Sequence, residues 1–229
     1  YPASLVYLGA DQQTYKDIIN SPETGDRAYD LQTNESLDDY SDLVSLITLL
    51  DQDADTSFAR KIKEKIAVAG VLKAFAIDIA TGNWDEYSFR KHNYFLYDHA
   101  QSGYFSFITF DTDNTFGVDW FGIDWATRNC LNWYHPSEPR PLITKLMQVP
   151  AYYDMFRMYL DTIVHNYTFP DSIFPHIDSL RSLIEDAAIE DTYRTLDYGY
   201  TVQDFYDGFT KTVDSHTPYG IKPFLETRY

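Results

Sequence analysis

Two aromatic runs, Tyr94-Phe95-Leu96-Tyr97 and Tyr104-Phe105-Ser106-Phe107-Ile108-Thr109-Phe110, flank the segment from Asp98 to Gly103. Aromatic and β-branched side chains suit a pleated surface, and a polar, glycine-containing break between two such runs predicts an antiparallel hairpin. In a hairpin the residue entering the first strand lies beside the residue leaving the second. Asn93 enters and Asp111 leaves, so the two are expected as neighbours at one end of an aromatic ribbon. Asp85, a short way upstream, can reach the same place.

Around this ribbon the apolar spacing is mainly helical. Ser4 to Leu8 reads as a short extended entry ended by Gly9, and Tyr29 to Glu35 as loop. Asp38 or Asp39 is placed to cap a helix in which Leu43, Leu46, Ile47 and Leu50 recur at helical spacing. From Ser57 to Ile79 the apolar residues become nearly continuous, as for one central helix packed on several sides and stopped by Thr81-Gly82-Asn83. Further helices are expected over Leu142 to Gln148, Tyr152 to Val164, Ser172 to Ala188, Val202 to Asp214 and Ile221 to Thr227. With no internal repeat or low-complexity linker, the expectation is a single α+β domain over 1–229, mostly helical.

Composition removes several functions. Lys and Arg number 18 against 35 Asp and Glu, a formal charge of -17, which repels a phosphate backbone and makes nucleic acid an unexpected partner. A hydrophobic fraction of 44% excludes a disordered chain. Cys130 has no second cysteine to pair with, so neither an internal disulfide nor a thiolate zinc cluster is expected. No run of about 18 apolar residues predicts a membrane span. The opening Tyr1-Pro2-Ala3 resembles neither a signal peptide nor a natural start, so the sequence reads as part of a longer protein. Asn34-Glu35-Ser36 and Asn166-Tyr167-Thr168 fit the glycosylation sequon, a short pattern that leaves the compartment open.

Chemistry concentrates in Gly82-Asn83-Trp84-Asp85-Glu86-Tyr87, in Lys91-His92-Asn93 and in Phe110-Asp111-Thr112-Asp113-Asn114-Thr115-Phe116-Gly117. Oxygen donors converging at a strand end suit a hard cation that keeps water and phosphate as its other ligands, with Asn93, Asp111 and Asp113 as candidate donors. In phosphoryl transfer the metal neutralises the nucleotide phosphates while another Asp accepts or orients the attacking hydroxyl, and the segment supplies both kinds of group. Other readings stand beside these. Asp-Thr-Asp-Asn is also ordinary turn chemistry, Asp85 can be a cap, His92 a packed or surface histidine and Lys91 a solvated charge. In Asp119-Trp120 and Asp124-Trp125 the expectation is that the Trp residues pack and the acids face water, the alternatives being an extended cation site or a peptide groove. Arg128 and Asn129 are weaker candidates for holding phosphate or the loop.

Asn83-Trp84-Asp85, His92-Asn93-Tyr94-Phe95-Leu96-Tyr97 and the run from Phe105 to Gly117 resemble the central motifs of the CotH kinase family, the spore-coat protein H-like atypical kinases. Tyr29-Asp30-Leu31-Gln32-Thr33-Asn34-Glu35 with Asp39-Tyr40, Pro150-Ala151-Tyr152-Tyr153 and Ile221-Lys222-Pro223-Phe224-Leu225-Glu226-Thr227-Arg228 extend the resemblance over most of the chain. It implies a diverged protein-kinase-like fold that transfers phosphate from ATP, with Mg²⁺ (or Mn²⁺ or Ca²⁺), to Ser or similar hydroxyls on proteins. Asp85 then matches the catalytic-loop aspartate, Asn93 the catalytic-loop asparagine and Asp111 the metal-binding aspartate after the hairpin, with Asp113 added to the metal shell. The family also suggests a bacterial spore coat, cell surface or secreted location.

The chain offers neither Gly-x-Gly-x-x-Gly nor a Val-Ala-Ile-Lys-like strand. Under the resemblance it is therefore expected to be mostly C-lobe, with 1–37 near the lobe junction, the N-lobe missing and the fragment inactive by itself. Two other functions stay open: an inactive surface, coat or adhesin-type interaction module, and a glycosidase using Asp85 and Asp111 as acid and base.

Overall fold

The computed structural model describes residues 3–196 and 198–229; Tyr1 and Pro2, from which the chain's opening is read above, lie outside the described residues. Among the described residues the class is α+β, about 48% helical with two small antiparallel sheets. No helix there is long and apolar enough to cross a membrane.

In chain order the elements are α1 (Gln12–Lys16), β1 (Ile19–Ser21), β2 (Asp26–Arg27), α2 (Ser41–Leu50), α3 (Thr56–Ile62), α4 (Val68–Thr81) and α5 (Tyr87–Arg90). The hairpin β3 (Tyr94–Asp98) and β4 (Phe105–Thr109) follows, and then α6 (Pro141–Gln148), α7 (Pro150–Asn166), α8 (Pro170–Glu190), α9 (Val202–Asp207) and α10 (Ile221–Arg228). Two compact units share the chain. One comprises Tyr1–Phe75, Asp85–Thr112 and Trp133–Met158, the other Ala76–Trp84, Asp113–Asn132 and Tyr159–Tyr229. Because the units interleave along the sequence, no single cut separates them.

In the first unit Leu46, Ile47 and Leu50 of α2 are buried, as their spacing requires, together with Phe58, Ile62, Val71, Leu72 and Phe75. The start of α2 differs from expectation. Its N-cap is Tyr40, with no side-chain cap, while Asp38 adopts φ 45° and pairs with Arg27 and Lys16 instead. Asp39 does support the helix start, accepting from the Ser41 amide at 3.0 Å.

The single helix expected over Ser57 to Ile79 is two helices. Between α3 and α4 the backbone turns aside to bridge Ile66 to Phe105, with Phe105 N donating to Lys65 O and Ala67 N donating to Phe105 O, each at 2.8 Å. A tertiary strand contact thus outbids continuous helix, which periodicity alone does not reveal. The Ser4 to Leu8 segment forms no regular element. Tyrosine hydroxyls satisfy its backbone: Tyr29 Oη accepts from Leu5 N at 2.8 Å, Tyr15 Oη accepts from Leu8 N at 2.9 Å, and Tyr87 Oη donates to Ser4 O at 2.9 Å.

In the second unit Gly82 ends α4 with φ 75°, where a Cβ would stand 2.4 Å from the Phe224 ring, so close packing and backbone both demand glycine. The helix expected over Val202 to Asp214 stops at Asp207. The Gly208 and Phe209 carbonyls, needed to continue it, accept from Ile221 and Lys222 at the start of α10, at 2.9 and 3.1 Å.

Candidate functional site

The hairpin forms in the register that places Tyr94 opposite Thr109 and Asp98 opposite Phe105. Phe110 N continues the pairing by donating to Asn93 O at 3.0 Å. Beyond that bond both strands leave the ladder through left-handed residues, Asn93 at φ 49° and Asp111 at φ 48°. Asn and Asp tolerate this region better than other side chains because their short polar groups bond locally. The ribbon therefore ends where two oxygen-bearing side chains bend the backbone out of the sheet.

Asp85 arrives from the other side through α5. Glu86 caps that helix, its buried carboxylate accepting from Ser88 N at 2.5 Å and Phe89 N at 3.1 Å, and α5 closes at Lys91, again left-handed at φ 60°. The short helix brings Asp85 back onto the hairpin end. Asn93 Nδ2 donates to Asp85 Oδ2 at 3.2 Å and to the Asp111 carbonyl at 3.3 Å. His92 Nδ1 lies 3.4 Å from Asp85 Oδ1. His92, read from sequence as a packed or surface histidine, is half-buried and also neighbours the candidate catalytic carboxylate.

The structure thus brings Asp85, Asn93 and Asp111 together. Asp113 begins the segment that belongs to the second unit, where it is exposed and its carboxylate accepts from Asn114 Nδ2 at 3.0 Å. Among the described residues no three His, Cys, Asp or Glu side chains converge on a common point. Protein oxygens available to a cation are correspondingly few. With Nδ2 of Asn93 committed twice, its Oδ1 and the exposed Asp111 carboxylate are acceptors at the hairpin end, beside the Asp85 carboxylate.

Sequence reasoning missed the residues that brace this loop. Lys91 pairs with Glu138 at 2.7 Å, and Glu138 in turn with the fully buried guanidinium of Arg140 at 3.2 Å. These two cations, Lys91 first, hold the Glu138 carboxyl down at about 2. Arg140 is a near neighbour of Glu138 in sequence, but Lys91, the partner that ties it to the loop, comes from another segment.

In the second unit the acid-aromatic pairs divide differently from expectation. Trp125 packs, but Trp120 is 47% exposed, and Asp119 is 4% exposed rather than solvated. Its carboxylate accepts from Phe121 N, Gly122 N and Ile123 N at 3.0, 2.7 and 3.2 Å and from the Trp125 indole at 2.8 Å. Asp119 is thus the keystone of a turn, as a buried carboxylate requires when it has many donors. Asp124 is exposed and accepts from the Tyr219 hydroxyl at 3.2 Å. Arg128 stacks over Trp125 with its guanidinium carbon 5.5 Å from the ring centre.

Compared with known proteins, the family described as CotH kinase protein matches residues 4–229. The chain belongs to the CotH kinase family. No curated protein matches it. The Asp85, Asn93 and Asp111 grouping therefore sits within a CotH kinase sequence, the family that the residues resemble.

Proposed function

We propose that this CotH kinase chain carries a phosphoryl-transfer site that moves the γ-phosphate of ATP to serine hydroxyls of a protein substrate. The observation that carries this reading is the Asn93 amide, which joins the Asp85 carboxylate to the Asp111 backbone at one point. This supports a division of labour in which Asp85 meets an acceptor hydroxyl and Asp111 a cation, as phosphoryl transfer needs.

The donors assigned to the ion are oxygens. That fits Mg²⁺, which prefers carboxylate and carbonyl oxygens and keeps several waters and phosphate oxygens as its remaining ligands. Asn93 Oδ1 and Asp111 are assigned to hold it. When bound, the ion neutralises the nucleotide phosphates. Asp85 accepts a hydrogen bond from the acceptor hydroxyl and aligns its oxygen, while the Asn93 amide keeps Asp85 from rotating away. Asp85 is only 16% exposed, so its freedom to move is already limited by packing.

A second reading, an interaction module without transfer, is supported by the exposed Trp120, Phe121 and Tyr198 of the second unit, since clustered exposed aromatics favour a partner surface.

The deciding experiment is transfer of labelled γ-phosphate from ATP to Ser-containing acceptor proteins by the full-length protein with Mg²⁺ or Mn²⁺. Asp111→Ala is expected to abolish metal-dependent nucleotide binding with the fold intact, and Asp85→Ala to keep nucleotide and lose transfer. Absence of transfer to acidic, basic and Ser-rich acceptors alike would hand the assignment to the interaction module.

A further inference from the structure

We infer that Glu138 is a positioning residue for the proposed transfer site, acting through Lys91 to hold the loop that sets Asn93 against Asp85. This rests on the phosphoryl-transfer reading for its consequence, though not for its geometry.

Lys91 and Asn93 are both left-handed, at φ 60° and 49°. For residues with a Cβ such a conformation persists only where surroundings impose it. Asn93 is held by the bonds of the site, whereas Lys91 is held from outside. Its ammonium meets Glu138 Oε2 at 2.7 Å, and its side chain is 18% exposed, so a normally mobile chain is pinned along its length.

Glu138 is itself anchored. The same Oε2 accepts from Arg140 Nη2 at 3.2 Å, and Arg140, wholly buried, donates to Pro139 O at 2.9 Å and to the Phe89 carbonyl of α5. Glu138 N donates to His135 Nδ1 at 3.1 Å, while His135 N donates to Ser88 O at 3.1 Å. The segment before α6 therefore grips α5 at Ser88 and Phe89 and grips the residue after α5 at Lys91. An isolated surface ion pair would contribute little. Here the pair closes a ring with a buried guanidinium, and the gripped residue lies two positions before Asn93.

The test uses Glu138→Gln, which keeps the shape and removes the charge, with Lys91→Met and the double variant, in the full-length protein. Hydrogen exchange across residues 88–93 is expected to quicken on the order of tenfold while α6 and the circular dichroism spectrum stay unchanged. For transfer, kcat should fall on the order of tenfold with the KM for the acceptor protein unchanged. The double variant should be no worse than Glu138→Gln alone, because that variant already removes the Lys91 ion pair. Unchanged exchange over residues 88–93 overturns the proposal, and so does a wild-type kcat in Glu138→Gln. If the unmodified protein transfers no phosphate, the fault lies with the kinase reading, and the exchange measurement still decides whether Glu138 holds the loop.

Discussion

Asn93 Nδ2 donates to Asp85 Oδ2 across 3.2 Å, and its second proton reaches the Asp111 carbonyl at 3.3 Å. One amide thus ties a residue placed by a short helix to a residue placed by a β-hairpin. The tie has a cost, since Asn93 holds φ 49° to make it.

Replacing Asn93 separates that backbone cost from the contacts. Asn93→Ala removes both bonds and leaves a methyl in the left-handed region, with an expected destabilisation of about 1–2 kcal/mol in urea titration. Asn93→Gly removes the same bonds without the backbone penalty and should be the more stable of the two. Both should lose metal-dependent ATP binding, measured calorimetrically with Mg²⁺ against chelator. If either binds Mg²⁺-ATP as the unmodified chain does, Asn93 is not a ligand-side residue.

Asp119 offers a test of the second unit alone. Removing its carboxylate in Asp119→Ala leaves three backbone amides and the Trp125 indole without their acceptor in a buried place. A loss of about 3 kcal/mol or more is expected, each unmet donor costing roughly 1–3 kcal/mol before relaxation. Tryptophan fluorescence in denaturant reads it directly. A loss below about 1 kcal/mol would mean that water replaces the carboxylate and that Asp119 is not the keystone described.

A pH effect follows from Asp78. Its carboxyl is pushed up to about 6 by burial, against the hydrogen bond that Asn83 Nδ2 donates to it at 2.9 Å. The folded state therefore holds this proton where the unfolded chain has released it. The contribution is fully present below about pH 4 and is lost as pH rises through about 6, by about 3 kcal/mol at most. Asp78→Asn keeps an acceptor for Asn83 but carries no charge. Relative to the unmodified chain it should gain stability between about pH 4 and 6 and hold that advantage at pH 7. A constant difference across this range would show that Asp78 does not titrate on folding.

The sequence by itself determined the hairpin and its consequence for the site. Aromatic and β-branched runs around a polar turn fix the pairing, and the pairing places Asn93 beside Asp111 whatever else the chain does. Helices α6, α7 and α10 are equally legible, because their apolar spacing reports burial along one element, whereas α8 forms as expected with Leu180, Leu183 and Ile184 exposed. What periodicity could not report was competition between distant segments. The break between α3 and α4 exists because Phe105 claims the Lys65 and Ala67 backbone, and α9 is short because α10 claims the Gly208 and Phe209 carbonyls. Charge assignments failed where the chain covered an acid, through a local turn at Asp119 and through a distant segment at Glu138. Asp119 was expected to face water, yet its donors fold back over it, and Glu138 acquired its role only when Lys91 and Arg140 came to the same point. Local pattern decides which elements form, while the points where they stop and the partners that a polar group finds depend on how turns and distant segments close over it, which periodicity does not carry.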